Sequence, residues 1–324
     1  MRAIVCRRLG PPSVLAVEDL PEPEPGAGEV QVAPRAAGIS FVDVLMVAGG
    51  YQLKPDLPFV PGLEAAGIVR KVGEGVTGLA PGDRVMTAHR PGAFAELAVV
   101  NAGRAYRLPD GVGFEAAAVF RSAYHTAYHS LVQRAALQPG ETLLVHGAAG
   151  GVGLAAVQVG KQLGATVIAT AGSAEKLAAL REQGADHAID YRHGFRDVVK
   201  ELTDGRGADV IYDPVGGDIF DESMRCINWG GRILVIGFTS GRAAQARTNH
   251  ILIKGASVIG VRAGEIGRRN PAVVERNMRV LMDWLADGRL RPHISHRFPL
   301  ERVADAMQAI IDRKVIGRAV LTLD

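Results

Sequence analysis

Thr142-Leu143-Leu144-Val145-His146-Gly147-Ala148-Ala149-Gly150-Gly151-Val152-Gly153 joins a short apolar run to a glycine-rich turn. A helix is predicted over 150–163, followed by a second apolar run over 166–170. A glycine turn between strand and helix lets the backbone approach a pyrophosphate, and the helix N-terminus supplies free N–H groups and the positive end of a dipole. Gly153 allows the helix to pack closely on the strand, while Ala148 stands where the usual G-x-G-x-x-G has its first glycine. An isolated glycine run is more often an ordinary tight turn, so the weight comes from its surroundings.

Those surroundings alternate. Beyond 166–170 the pattern predicts a helix over 174–183, a strand over 187–190, a helix over 194–203 and a strand over 208–213. A helix over 218–228 and strands over 232–237 and 257–261 complete the series. Alternating strands and helices imply right-handed crossovers and a parallel sheet covered on both faces. The strands are continuous apolar runs, as burial on both faces requires. Upstream, to about residue 118, prolines and glycines punctuate short apolar runs, which predicts a mostly antiparallel β domain. An alanine-rich stretch over 115–137 predicts one helix ended by Pro139-Gly140. The last part predicts helices over 271–288 and 300–312 and strands over 293–298 and 318–323.

The tip of the second strand bears on cofactor choice. NAD-binding units place an Asp or Glu there to hold the ribose 2′-hydroxyl. Here the tip is Ala171-Gly172-Ser173, with Lys176 one turn on and Glu175 past the tip. No acid is present to repel a 2′-phosphate, and a hydroxyl and a cation are available, so NADPH is the expected cofactor.

With 324 residues, two domains are expected. The net charge of +3 and the scattered basic residues give no electrostatic footprint for nucleic acid or an anionic membrane. Cys6 and Cys226 form no C-x-x-C spacing, which excludes a disulfide framework or a cysteine-rich zinc site. No run of 18 or more apolar residues predicts a membrane span, and the N-terminus has no signal-peptide pattern, so a cytoplasmic location is expected.

The turn over 147–153, Pro61-Gly62-Leu63-Glu64-Ala65-Ala66-Gly67, Gly82-Asp83-Arg84-Val85 and Asp213-Pro214-Val215-Gly216-Gly217 resemble the medium-chain dehydrogenase/reductase superfamily. Within it, the chain is similar to the zinc-independent NADPH:quinone oxidoreductase branch, which includes zeta-crystallin-like proteins. The resemblance spans essentially the whole chain. It implies an α/β protein: a GroES-like β domain from 1–118 completed by 263–324, and a Rossmann doubly wound parallel-sheet domain from 119–262, with the cofactor in the cleft. Zinc-dependent members use Cys, His and a third Cys or Asp; the matching positions here are Ser40, Leu63 and Ser122. Those side chains offer no thiolate, imidazole or carboxylate, so no metal is expected. His89, His125 and His129 are expected to be structural or cleft-lining.

Without a Lewis acid, hydride addition to an activated acceptor, a quinone or an α,β-unsaturated carbonyl, is the chemistry implied. By family position, Ser173, Lys176 and Tyr191 grip the 2′-phosphate, with a solvated lysine and a surface tyrosine as the plain alternatives. Ala149, Gly150, Gly151, Val152 and Gly153 are expected at the pyrophosphate. Gly237-Phe238 and Val261-Arg262 end later strands at the carboxyl edge, where ligands bind in such sheets. Arg318 matches a cofactor-binding basic position, or else is a solvated strand charge. Thr126 matches a threonine beside the nicotinamide.

On the acceptor side, Ser40 and Tyr51 are candidate hydrogen-bond donors, with Phe41, Asp43 and Arg121 lining the substrate site. Tyr51 follows Gly49-Gly50 and is equally readable as a packing tyrosine. Arg121 replaces a typically neutral position and suits an anionic substrate such as a carboxylate or acyl-CoA; a surface charge is the alternative. Three functions stay open: a quinone or enone reductase, an enoyl reductase acting on acryloyl-CoA or a 2-substituted acrylate, and a non-catalytic NADPH-binding, crystallin-like protein. The resemblance also implies a homodimer through sheet edges near 257–261.

Overall fold

The structure, a computed structural model, describes residues 1–323. It divides into two compact units. The first is Met1–Ser122 with the segment from Arg291 onward; the second is Ala123–Leu290. The segment 263–290, expected with the first unit, groups with the second. Its long helix explains why: buried Asn277 hydrogen-bonds Gln133, and Trp284 meets the Tyr128 ring edge-on at 5.6 Å.

The chain opens with a hairpin, β1 (Arg2–Cys6) and β2 (Leu15–Asp19), and continues through β3 (Glu29–Ile39), α1 (Phe41–Val47), β4 (Glu64–Val72), β5 (Arg84–Ala88), β6 (Ala98–Asn101) and β7 (Ala105–Arg107). Two short helices, α2 (Phe114–Ala118) and α3 (Arg121–Tyr128), lead into the second unit. There the alternation is β8 (Thr142–Val145), α4 (Gly151–Gln162), β9 (Thr166–Ala171), α5 (Ala174–Glu182), β10 (His187–Asp190), α6 (Arg196–Leu202), β11 (Ala208–Asp213), α7 (Asp218–Cys226) and β12 (Ile227–Val235). Then come α8 (Thr248–Lys254), β13 (Ser257–Gly260), α9 (Ala263–Arg269) and α10 (Pro271–Ala286). The first unit is completed by β14 (Ile294–Pro299), α11 (Val303–Ile311) and β15 (Arg318–Thr322).

In the second unit the six strands run in the order β10-β9-β8-β11-β12-β13, all parallel. Counted from β8 this is 3-2-1-4-5-6, the doubly wound nucleotide-binding order, whose switch point lies between β8 and β11. Leu144, Ile168, Ile211 and Ile233 fill the core with Phe195 and Phe220 from the helices. In the first unit the path β14-β15-β3-β4-β5-β7 is antiparallel except for β14 with β15, and β6 pairs β3. Ile4, Ile39, Met46, Phe94, Met307 and Leu321 form its core. Each such side chain is worth about 1.5–3 kcal/mol on burial.

Two local differences from expectation have physical causes. The single helix expected over 115–137 is broken into α2, α3 and a π-helical turn, His129–Arg134. The Ser122 N–H, at the start of α3, donates to the Glu64 carboxylate from β4, a long-range partner that local composition cannot show. Ala135 N donates to Ser130 O, five residues back, which sets the wider π turn. The helix α1 lies where glycine density suggested turns. Its start, Ser40-Phe41-Val42-Asp43, has the capping spacing, with the Asp43 carboxylate accepting from Ser40 N at 2.8 Å.

Candidate nucleotide site and the polar cluster of the β unit

The glycine turn occupies the switch point of the parallel sheet. Gly147 leaves β8 at φ +53°, a left-handed conformation that a side chain disfavours. A Cβ on Gly153 would overlap the Gly147 carbonyl and fall 2.7 Å from the Ala148 Cα. The first turn of α4 is thereby pressed against the turn, as the sequence predicted for Gly153. Gly150 caps α4 with no side chain, and no acid lies in the first turn. The Gly150 N–H is taken by the Gly147 carbonyl at 2.9 Å, and the start of α4 at Gly151 and Val152 presents the positive end of the helix dipole with no acid in its first turn.

The strand ends that should surround a nucleotide are in line. Val145 is in register with Ala169 and with Tyr212, and Val235 is in register with Asp213 and Gly260. Beyond β11, buried Asp213 accepts from Val215 N at 2.8 Å and Gly216 N at 2.9 Å, so this carboxylate shapes the turn. Its pKa is raised by burial. Phe238 stands against Gly216, with about half its surface exposed. Val261 N donates to Val235 O at 3.0 Å, and Arg262 caps α9. Gly237, Phe238, Val261 and Arg262 thus all lie at the carboxyl edge.

At the tip of β9, Ser173 caps α5, its hydroxyl accepting from Lys176 N at 3.4 Å. A Cβ on Gly172 would sit 3.0 Å from the Tyr191 hydroxyl, so Tyr191 covers the tip. The structure brings Ser173, Lys176 and Tyr191 to one place. It adds Arg192, which sequence reasoning missed. Asp190, in register with Ala171, is paired with Arg192 at 2.5 Å; hydrogen bonds from Arg192 hold its pKa at about 2. The acid absent from β9 is present on β10, but occupied by a cation.

Behind the turn lies a second missed feature. The His146 Nδ1 is 3.0 Å from Thr170 Oγ1, its Nε2 is 2.9 Å from Ser223 Oγ, and Phe195 packs on its ring. Burial lowers its pKa to about 3, so the ring is neutral and ties β8, β9 and α7 together beneath the nucleotide edge. Thr126, in α3, lends its carbonyl to the Ser130 hydroxyl at 2.6 Å.

In the β unit, Ser40, Asp43, Glu64, Ser122 and Arg318 form one polar cluster. Ser40 Oγ donates to Asp43 at 2.7 Å. Asp43 was expected among the substrate-contacting residues; instead it is 1% exposed beneath the start of α1, where its carboxylate accepts from Ser40. Its second oxygen has no partner, and burial raises its pKa to about 6 despite the Ser40 hydrogen bonds. Glu64 forms a buried ion pair with Arg318. Arg318 is therefore not a solvated charge; its guanidinium pairs with Glu64 within the β unit. Tyr51 packs against the core of this unit, and Phe41 is exposed at the first turn of α1.

Comparison with known proteins agrees with this architecture. Residues 26–110 match the alcohol dehydrogenase GroES-like domain model, and residues 151–284 match the zinc-binding dehydrogenase model. The chain is 40% identical to the quinone oxidoreductase-like protein 2 homolog of Nematostella vectensis, over 99% of this chain and 88% of that protein. The chain belongs to the quinone oxidoreductase branch of the medium-chain dehydrogenase/reductase superfamily. It is 31% identical to human quinone oxidoreductase, over 100% of this chain and 98% of that one. Among solved structures, the Escherichia coli quinone oxidoreductase complexed with NADPH superposes with a TM-score of 0.92 at 31% identity, covering all of both chains.

The name of the second family model raises the question of zinc, and in this quinone oxidoreductase relative the residues do not fit it. The Ser40 hydroxyl is committed to Asp43, Leu63 has no donor, and Ser122 offers only a hydroxyl where a third ligand would stand. Among the described residues no three His, Cys, Asp or Glu side chains gather to hold a metal ion. Among the same residues, no helix is long and apolar enough to cross a membrane.

Proposed function

We propose that this protein is an NADPH-dependent reductase that passes hydride to a quinone or an α,β-unsaturated carbonyl. The observation that carries the cofactor half is the convergence of Ser173, Lys176, Tyr191 and Arg192 at an acid-free strand tip, beside a glycine turn with no room for a side chain at Gly153. The NADPH complex of the E. coli relative supports it. NADPH supplies the hydride; the chain's part is to hold the pyrophosphate on Ala149, Gly150, Gly151, Val152 and Gly153, with Gly237, Phe238, Val261 and Arg262 flanking the nicotinamide. In the β unit, Tyr51 is the hydroxyl offered to the oxygen on which negative charge develops, the Ser40 proton being held by Asp43, and Thr126 serves at the nicotinamide. A preorganised donor stabilises an enolate or quinol oxyanion without needing a metal.

The test has two parts. NADPH and NADH are titrated against the protein, with NADPH expected to bind at least ~10-fold tighter, about 1.4 kcal/mol; equal affinities overturn the assignment of the strand tip. A panel of quinones, enones and acryloyl thioesters is then followed by loss of NADPH absorbance. Turnover of the conjugated acceptors is expected, and tight NADPH binding with no turnover of any of them favours a non-catalytic role.

A further inference from the structure

Three arginines belong to the part of the β unit where the end of β5 meets the start of β7. These strands pair antiparallel, Thr87 opposite Ala105 and Met86 opposite Tyr106. The chain leaving β5 carries His89 and Arg90, and the turn entering β7 carries Arg104. Arg121, the first residue of α3, lies with its guanidinium carbon 5.6 Å from the centre of the Tyr106 ring.

The pKa of Arg104 is lowered by its partial burial and then by Arg90 and Arg121. His89, 8% exposed, is held at about 4 by burial and by Arg104, so it adds no charge at neutral pH; its Nε2 is 2.7 Å from Thr87 Oγ1. The Arg121 Nε is buried and has no hydrogen-bond partner among the described residues. Among the described residues, no carboxylate forms an ion pair with Arg90, Arg104 or Arg121, although Arg107 nearby is paired with Asp83 and Arg297 with Glu115. Grouped like charges, partly removed from water, repel unless an anion joins them.

We propose that Arg90, Arg104 and Arg121 bind a phosphate group carried by the acceptor substrate. The proposal rests on the reductase reading above and narrows its acceptor. Guanidinium forks match phosphate oxygens in bidentate geometry, and a phosphate monoester brings a charge of about −1.5 to −2 with three acceptor oxygens. The Tyr106 ring lies beneath the Arg121 guanidinium. The nucleotide's own phosphates have their provision in the other unit, at the glycine turn and the β9 tip. A neutral quinone brings no negative charge to three guanidiniums, whereas an enoyl group carried as a thioester on a phosphate-bearing nucleotide handle does. Sequence alone could single out only Arg121, because Arg90 and Arg104 join it through strand pairing.

Coenzyme A, which has the phosphates but no double bond to reduce, is the binding probe. By calorimetric titration it is expected to bind the intact protein, and at least ~10-fold more weakly to Arg104→Gln and Arg121→Gln, a loss of the size of one charge-assisted contact. Arg104→Lys, which keeps the charge but not the fork, should fall between. Arg90→Gln, at an exposed position, is the variant to rely on if the other two fail to fold by circular dichroism. In kinetics, the ratio of kcat/KM for crotonyl-CoA to that for the uncharged enone methyl vinyl ketone should fall in each variant. No binding of coenzyme A, or equal binding by variants and wild type, overturns the proposal. A matching loss of NADPH affinity in the variants also overturns it, since the cluster would then serve the cofactor. Failure of the reductase reading has a different signature: neither acceptor is turned over while coenzyme A still binds through the arginines.

Discussion

A methyl group at Gly153 would collide with the backbone of the turn it packs on, whereas one at Gly150 would meet only the Gly147 carbonyl, at 3.3 Å. Both glycines belong to the same run, yet the geometry separates them. Gly153→Ala must push α4 off the turn, and overpacking of this kind costs about 1–3 kcal/mol. Gly150→Ala should cost well under that. Urea unfolding midpoints should show the difference, with the Gly153 variant also losing NADPH affinity by about tenfold or more because the helix N-terminus has moved. Equal midpoints for the two variants would show that the turn has slack the structure denies. Arg318 teaches a related point. Its position in a strand suggested either a ligand contact or a solvated charge, but the buried partner, Glu64, lies 254 residues away in sequence. Removing one member of such a pair strands the other in a poorly solvated place.

At the level of elements, the parallel sheet was legible in the sequence because burial on both faces writes continuous apolar runs, as in Leu143-Leu144-Val145 and Val210-Ile211-Tyr212. The nucleotide site was legible for the same reason: its glycines and its acid-free strand tip are local features. What stayed hidden was set by distant partners. The break between α2 and α3, the Ser40–Asp43–Glu64–Arg318 cluster and the arginines beside β5 and β7 all depend on the register of the β-unit strands. The edge strand β13 carries another element-scale consequence. Among the described residues it pairs with β12 alone, and the nearby Trp229, Leu252 and Ile253 are 73%, 80% and 67% exposed. We propose that a second copy of the chain covers this edge, since an unprotected strand edge flanked by large apolar side chains is a template for association. Light scattering on the eluting protein should give the mass of a dimer, and Leu252→Asp with Ile253→Asp should shift it to the monomer mass. A wild-type protein that elutes as a monomer would reject the edge as a self-interface.

For the whole molecule, stability against pH is set by buried groups from both units acting in opposite directions. His146 and His89 have folded-state pKa values of about 3 and about 4, lowered by burial from 6.5. Their contribution is present above the unfolded value and is lost as the pH falls below it, because the unfolded chain takes up protons that the native state refuses. Asp43 is the reverse. Its pKa is raised by burial from 3.8 to about 6, so its contribution is present below pH 4 and lost as the pH rises through 6. Carboxylates held low by arginine neighbours, such as Asp190 and Glu265 at about 2, titrate below this window. Near pH 5 the unfolded chain therefore binds two extra protons at the histidines and the native state one at Asp43. From these three groups, stability should rise with pH by about 1.4 kcal/mol per unit, the slope for a difference of one proton. Asp43→Asn removes the opposing group while keeping an acceptor for Ser40. It should steepen that dependence toward two protons between pH 4 and 6, and leave the variant more stable than wild type at pH 7 but not at pH 4. Urea midpoints at four pH values across the window would read this directly. Parallel curves for variant and wild type would mean that Asp43 ionises as freely in the folded protein as in the unfolded one, which its burial beneath α1 contradicts.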